Sequence, residues 1–437
     1  MNPRKHYLLI SWILVLLMVS CSEEPKTPHT DSARPHFLII MADDVGRECF
    51  DAYGESEYET PNITRLAEEG KIFHYAYSQP LCTPSRVEIM TGMSNYYNYD
   101  YFEILPRSEK TFGDLAKEHG YVTCVGGKWQ LTGVSIPDSL VGTGTMPEEA
   151  GFDEHYLYQL HSKPERYWGA TYHFNGEEVN LWDHQFGPEV IVDEMVDFME
   201  RHYDQPMLIY YPMILAHAPF VKTPLNESTS ELSPKERYMG MVKYMDALVG
   251  RLVKKTDDLG IRENTLIIFT TDNGTPKRFT SRFDGKEIAG GKGQTIDPGI
   301  HAPFVVNWKN TISSGEDSSS IVALYDIYPT LADILGDTLT DPRMGTSLWP
   351  QLKSSNEAHR PHMLGYFFPT RNAPREDDKE VIFVQNKSWK LYQDGRLIFK
   401  PKDPREEQPI LPGDDTDRSR IIRDSLKSIM ENYLQID

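Results

Sequence analysis

Residues 36–44 read His-Phe-Leu-Ile-Ile-Met-Ala-Asp-Asp, an apolar run that stops on two aspartates. So short and apolar a run reads as a buried strand, and its polar ending sets two carboxylates at the strand's carboxyl end. The same design returns along the chain. "VTCVGGKWQL" (122–131) reads as a strand opening into a glycine turn, and "PMLIYYPMILAHAPF" (206–220) as a strand that stops at His217. "NTLIIFTTDNG" (264–274) reads as a buried strand ending in Asp272-Asn273-Gly274. Between these runs lie helix-period segments. "TFGDLAKEHGY" (111–121) is a capped helix with Gly120 near its end. The segment carrying Tyr238, Met241, Val242, Met245, Leu248, Val249, Leu252 and Val253 at three- and four-residue steps is a long amphipathic helix. Strands that alternate with helices predict an α/β fold, with a mostly parallel central sheet flanked by helices.

Working outward, residues 281–299 are rich in glycine and charge and predict a loop. Beyond about Ser354 the short segments "EVIFVQ", "SWKLYQ" and "RLIFK" alternate like antiparallel strands, and a helix near Arg420–Leu434 closes the chain. The expected organisation is a leader at 1–20, a polar tether at 21–34, a main domain at 35–354 and a small C-terminal α+β subdomain at 355–437. In the leader, Arg4 and Lys5 precede an apolar run too short to span a bilayer comfortably, as in a secretory signal. "LMVSC" (17–21) resembles a bacterial lipoprotein cleavage box, which implies an exported protein held in the bacterial envelope, at its periplasmic face or the cell surface, by a lipid on Cys21.

The 437 residues suffice for a large core, and 39% hydrophobic composition excludes wholesale disorder. A formal charge of -20 argues against nucleic acid as a partner, because phosphate backbones call for a basic footprint. The four cysteines show no paired C-x-x-C spacing, which disfavours a structural zinc site. Cys49 and Cys124 read as two buried thiols, with a disulfide between them as the alternative.

Ligands of parallel sheets sit outside the carboxyl ends of the strands, so Asp43-Asp44, His217 and Asp272-Asn273 are expected to converge. Three carboxylates and an amide are hard oxygen donors, suited to calcium or magnesium. Cys82 stands in "QPLCTPSR" (79–86), which looks like an exposed turn.

The run Cys82-Thr83-Pro84-Ser85-Arg86, continuing to Thr91-Gly92, resembles the signature of the formylglycine-dependent sulfatases of the alkaline phosphatase superfamily. The resemblance extends in order through "LIIMADDVG", "TPNITRLAEEG", "GYVTCVGGKWQL", "TTDNG", "GGKGQTIDPGIHAPF", "LYDIYPTLADILG" and "GTSLWPQL". It implies an alkaline-phosphatase-like fold and hydrolysis of a sulfate ester, that of a sulfated saccharide being the first expectation. It implies that a separate maturation enzyme, formylglycine-generating or radical, oxidises Cys82 to formylglycine, whose hydrated aldehyde attacks sulfur. The implied metal is Ca2+, with Mg2+ as the alternative, held by Asp43, Asp44, residue 82, Asp272 and Asn273. Arg86 would hold the attacking oxygen, Lys128 and Lys292 would clamp the sulfate, and His217 would protonate the departing alcohol. Two places depart from the family pattern. Gln130 stands where the lysine turn usually carries a histidine, and we expect it to serve by hydrogen bonding. In "TIDPGIHAPF", Asp297 keeps the usual acid and His301 replaces an arginine, which leaves loop support and substrate contact both open. Phosphate or phosphonate ester hydrolysis, and a sulfated-glycan-binding lipoprotein that has lost turnover, are the competing readings. The aromatic-rich stretches 96–102 and 161–173 are candidate contributors to specificity.

Overall fold

The computed structural model describes residues 34–137, 139–354, 359–369 and 379–436; the leader, the tether through residue 33 and Cys21 lie outside them. The main sheet has ten strands, in the order Gly315–Asp317, Lys71–Phe73, Phe304–Asn307, Thr265–Thr271, His36–Ala42, Met207–Pro212, Val122–Lys128, Glu154–Tyr158, Thr171–Phe174 and Glu177–Asn180. The central run from Thr265–Thr271 to Glu154–Tyr158 is parallel throughout. On either side the pairing becomes antiparallel, where Phe304–Asn307 and Thr171–Phe174 join.

The strand His36–Ala42 is buried along its whole length, and its period of two serves two cores. Leu38, Ile40 and Ala42 pack with Ile191 and Met195 of the helix Gly187–His202 and with Met241 and Met245 of the helix Pro234–Asp258. Phe37, Ile39 and Met41 pack with Val87, Ile89 and Met90 of the helix Cys82–Thr91 and with Leu331. The long helix starts at a capping box in which the Ser233 and Glu236 side chains each bond the other's backbone N–H.

The strand expected to run to His217 ends at Pro212. The apolar run outlasts it because the following turn is itself buried, held by Asp43 N–H to the Leu215 carbonyl (2.9 Å) and Ala216 N–H to the Asp43 carbonyl (2.7 Å). The expected glycine turn before Lys128 is instead the end of the strand Val122–Lys128. Gly127 has φ 131°, and a Cβ there would collide with the Pro212 carbonyl, so the glycine serves close approach of backbones. The expected loop at 281–299 contains a hairpin, Thr280–Phe283 with Lys286–Ala289, and the first residues of a short helix, Asp297–Ile300. Its turn is Asp284-Gly285, with both φ values positive, a pairing that favours tight hairpins.

Residues from Arg34 onward form one compact unit. Its C-terminal part is an antiparallel sheet of Met363–Phe367, Val381–Gln385, Trp389–Tyr392 and Leu397–Phe399, covered by the helix Asp417–Leu434 through Leu426 and Met430. Cys49 and Cys124 are buried free thiols, not a disulfide.

Candidate active site

Register brings the carboxylates together. Ala42 stands opposite Thr271 in adjacent parallel strands, so the next residues, Asp43 and Asp272, emerge side by side. Asp272 N–H bonds the Ala42 carbonyl (3.0 Å), and Asp44 N–H bonds Asp272 Oδ1 (3.1 Å). Asp44 adopts φ 64°, a left-handed conformation that turns the chain sharply after the strand. Asn273 Nδ2 donates to Asp44 Oδ1 (2.9 Å), while Asn273 Oδ1 is buried with no hydrogen-bond partner.

Cys82 is not in an exposed turn. It is the first residue of the helix Cys82–Thr91, which is buried at every position, and its own exposure is 2%. Its Sγ lies 3.6 Å from Asp43 Oδ1. The other residues of the motif anchor this helix. Ser85 Oγ accepts from Gln79 N–H (2.9 Å) and donates to the Asp272 carbonyl, which ties the helix to the second acidic strand end. One turn on from Cys82, Arg86 is 1% exposed and reaches Asp272 Oδ2 (3.1 Å), Asp43 Oδ2 (3.5 Å) and the Lys128 carbonyl (2.6 Å).

The remaining cations divide between the two adjacent aspartates. Lys128 Nζ bonds Asp43 Oδ2 at 2.6 Å, on the side of Cys82 and Arg86. Lys292 Nζ bonds Asp44 Oδ2 at 2.6 Å, and His217 Nε2 lies 3.8 Å from the same oxygen. Three carboxylates thus face three permanent cations in a nearly dry site.

The electrostatics follow. Burial alone would push the Asp43 carboxyl up, but Lys128, His217, Arg86 and Lys292 outweigh it and hold the group well below the usual carboxylate range. Burial and the Asp43 charge push Asp272 up against the pull of Arg86 and Lys128. Burial, which would lower Lys292, is outweighed by Cys82, Asp44 and Asp43, so its ammonium is held above the ordinary lysine range. Burial lowers His217 to about 4 even though Asp44 pulls it up, so the ring is neutral at pH 7. Burial and Asp43 raise the Cys82 thiol to about 12, so the unmodified side chain is a protonated thiol and a poor nucleophile.

Asp43, Asp44, Cys82 and His217 offer atoms within 4.8 Å of one another, a group that could hold a metal ion. The carboxylates of Asp43, Asp44 and Asp272 and the buried, unpartnered Asn273 Oδ1 supply the hard oxygen donors that suit calcium or magnesium, whereas the Cys82 thiol and the His217 ring are softer. Gln130 follows Lys128 by two residues with φ 58°, and its Oε1 is also buried without a partner.

Sequence reasoning missed the supports around this cage. Arg166, from the stretch 161–173, is 7% exposed, and its Nη1 lies 2.5 Å from His217 Nδ1. Nothing in its local sequence distinguishes it from a surface arginine. The Lys292 loop is held from the C-terminal sheet: Lys390 Nζ bonds the Thr295 carbonyl and Glu406 Oε1 (2.9 Å), and Lys400 Nζ reaches Tyr77 OH (2.6 Å) and Asp297 Oδ1 (3.7 Å). His301 bridges Asp297 Oδ2 (2.9 Å) and the His74 carbonyl (2.7 Å), so it braces this loop. In the stretch 96–102, Tyr97 bonds the Tyr433 carbonyl and Tyr99 the Pro369 carbonyl, while Tyr96 packs on Tyr366. Those rings are packing against the C-terminal part of the chain.

The sulfatase family model matches residues 35–337. The chain is 26% identical over 400 residues to human N-acetylgalactosamine-6-sulfatase, covering 83% of this chain and 74% of that one. The solved structure of Ps i-CgsB in complex with k-i-k-neocarrahexaose superposes with a TM-score of 0.75 at 23% identity, covering 92% of each chain. That of BT4656 in complex with its substrate D-glucosamine-2-N,6-O-disulfate superposes with a TM-score of 0.73 at 19% identity, covering 92% of this chain and 99% of that one.

Proposed function

The chain belongs to the sulfatase family of sulfuric ester hydrolases, and from that premise we propose that it hydrolyses the sulfate esters of carbohydrates. The relative that acts on N-acetylgalactosamine sulfate and the two saccharide-bound structural neighbours support the substrate class. The observation that carries the reading is the division of the cage: Cys82, Lys128 and Arg86 gather at Asp43, while Lys292 and His217 gather at Asp44.

We assign position 82 to formylglycine, made from Cys82 by a maturation enzyme, with Asp43, Asp44, Asp272 and Asn273 Oδ1 as the holders of Ca2+, or of Mg2+. When present, the modified residue supplies the nucleophilic oxygen and the cation lowers its pKa and polarises the sulfate. The protein's own residues do the rest. Arg86 and Lys128 hold negative oxygen on the attacking side by charge-assisted hydrogen bonds. Lys292 and His217 Nε2 face the departing sugar oxygen, where the ammonium offsets growing negative charge and the imidazole offers a hydrogen. The buried walls exclude bulk water, which strengthens each of these interactions. Gln130 can orient a hydroxyl through its amide, but it cannot take a proton as a histidine would.

The test is co-expression with a maturation enzyme, mass analysis of the peptide containing Cys82, and release assays on sulfated saccharides beside matched phosphate esters. Formylglycine at 82 with sulfate release supports the reading; faster phosphate release would assign the chain to phosphoester chemistry, and binding without turnover would make it a glycan-binding protein. Export and lipid anchoring at Cys21 are part of the same proposal, checked by whether a C21S variant leaves the membrane fraction.

A further inference from the structure

His217 meets two neighbours at Nδ1 that require opposite tautomers. Arg166 Nη1, at 2.5 Å, belongs to a guanidinium that can only donate, so it demands a bare lone pair on Nδ1. The Ala218 carbonyl, at 2.7 Å, can only accept, so it demands a proton there. On the opposite edge of the ring, Nε2 points toward the Asp44 side of the cage, 3.8 Å from Asp44 Oδ2. The charge-assisted bond from Arg166 is roughly twice as strong as a neutral one, so it outweighs the Ala218 carbonyl. Arg166 is itself well fixed: its guanidinium lies 5.1 Å from the Tyr158 ring centre, and its carbonyl accepts from Tyr172 OH at 2.5 Å.

We propose that Arg166 is a positioning residue that locks His217 in the tautomer protonated on Nε2, so that an N–H rather than a lone pair faces the departing sugar oxygen. The inference rests on the role given to His217 in the proposed function, and it names a residue outside the motifs that identify the family. Without Arg166, the Ala218 carbonyl takes the proton on Nδ1. Nε2 then presents a lone pair, which repels the negative oxygen it should assist.

The first test needs no turnover. In metal-loaded protein with isotope-labelled histidine, NMR at neutral pH, with H217N used for assignment, should show His217 protonated on Nε2 and bare on Nδ1. R166M should exchange the two, and R166K, which keeps a donor, should restore the wild-type pattern. A proton on Nδ1 in the wild type, or the same pattern in R166M as in the wild type, overturns the inference and leaves the sulfatase reading standing.

The second test uses matured enzyme and aryl sulfates. R166M should lower kcat/KM by about 10²-fold for methoxyphenyl sulfate, whose phenolate leaves poorly, and far less for nitrophenyl sulfate. The R166M/H217A double variant should be no slower than H217A alone, since both changes remove one function. Equal losses on both esters, or losses that multiply in the double variant, overturn the inference by marking Arg166 as general scaffolding.

Discussion

Cys82 shows most sharply how environment redirects a side chain. Its burial beside Asp43 holds it as a thiol, a poor nucleophile as it stands, and the proposed conversion to formylglycine would give the position its reactivity. C82A should therefore abolish sulfate release, with a loss of at least about 10³-fold in kcat and an unchanged circular dichroism spectrum. Residual turnover at near wild-type rate would remove residue 82 from the chemistry. Gln130 gives a second prediction at this scale. Its buried carbonyl oxygen has no protein partner, a cost to folding that removal of the side chain relieves. Q130A should leave thermal stability unchanged or raised while slowing turnover, and unchanged turnover would refute the hydrogen-bonding role.

Among the elements, the strand His36–Ala42 leads into Asp43 and Asp44 at one end and carries a buried histidine at the other. Burial lowers His36 to about 4, and its Nδ1 accepts from Met207 N–H at 3.3 Å, a bond that requires the neutral ring. The unfolded chain protonates this group near the ordinary histidine value of 6.5, so between pH 6.5 and 4 the unfolded state binds the additional proton. Its contribution to stability is full above pH 6.5 and is lost on acidification toward 4, a loss on the order of 3 kcal/mol. Urea unfolding across that range should show the slope, and H36Q, which keeps an acceptor for Met207 N–H, should flatten it. The Lys292 loop illustrates support from a distant element. K400M removes one cation from Asp297, which keeps His301, and a hydrogen bond from Tyr77, and should cost roughly 1–3 kcal/mol in denaturant unfolding. It should also lower kcat by loosening the loop that carries Lys292, whereas wild-type stability and turnover in K400M would separate the C-terminal sheet from the site.

For the molecule as a whole, a charge of -20 must admit an anionic substrate, and the cage does so by matching three carboxylates with Arg86, Lys128 and Lys292. The proposed divalent cation would make the centre positive. Stripping metal with a chelator should lower Tm, and Ca2+ at 100 times its Kd should restore about 2.7 kcal/mol; calorimetry in which Ca2+ leaves Tm unmoved would refute the metal assignment. The sequence alone determined the alternation of strands and helices, the donors at strand ends, and the ordered motifs from Asp43 to Lys292, because strand burial, turn chemistry and motif spacing are written in adjacent residues. It misread where the strand before His217 ends, because an apolar run does not distinguish a buried strand from a buried turn, and what lies between 281 and 299, because a short, largely exposed hairpin rich in charge and glycine carries no apolar alternation to mark it. Only the tertiary structure decided that Asp43 and Asp44 serve opposite sides of the cage, that Arg166 faces His217, and that Lys390 and Lys400 brace the Lys292 loop. Those contacts join residues far apart in the chain, and their energies depend on burial and distance, which no local pattern encodes.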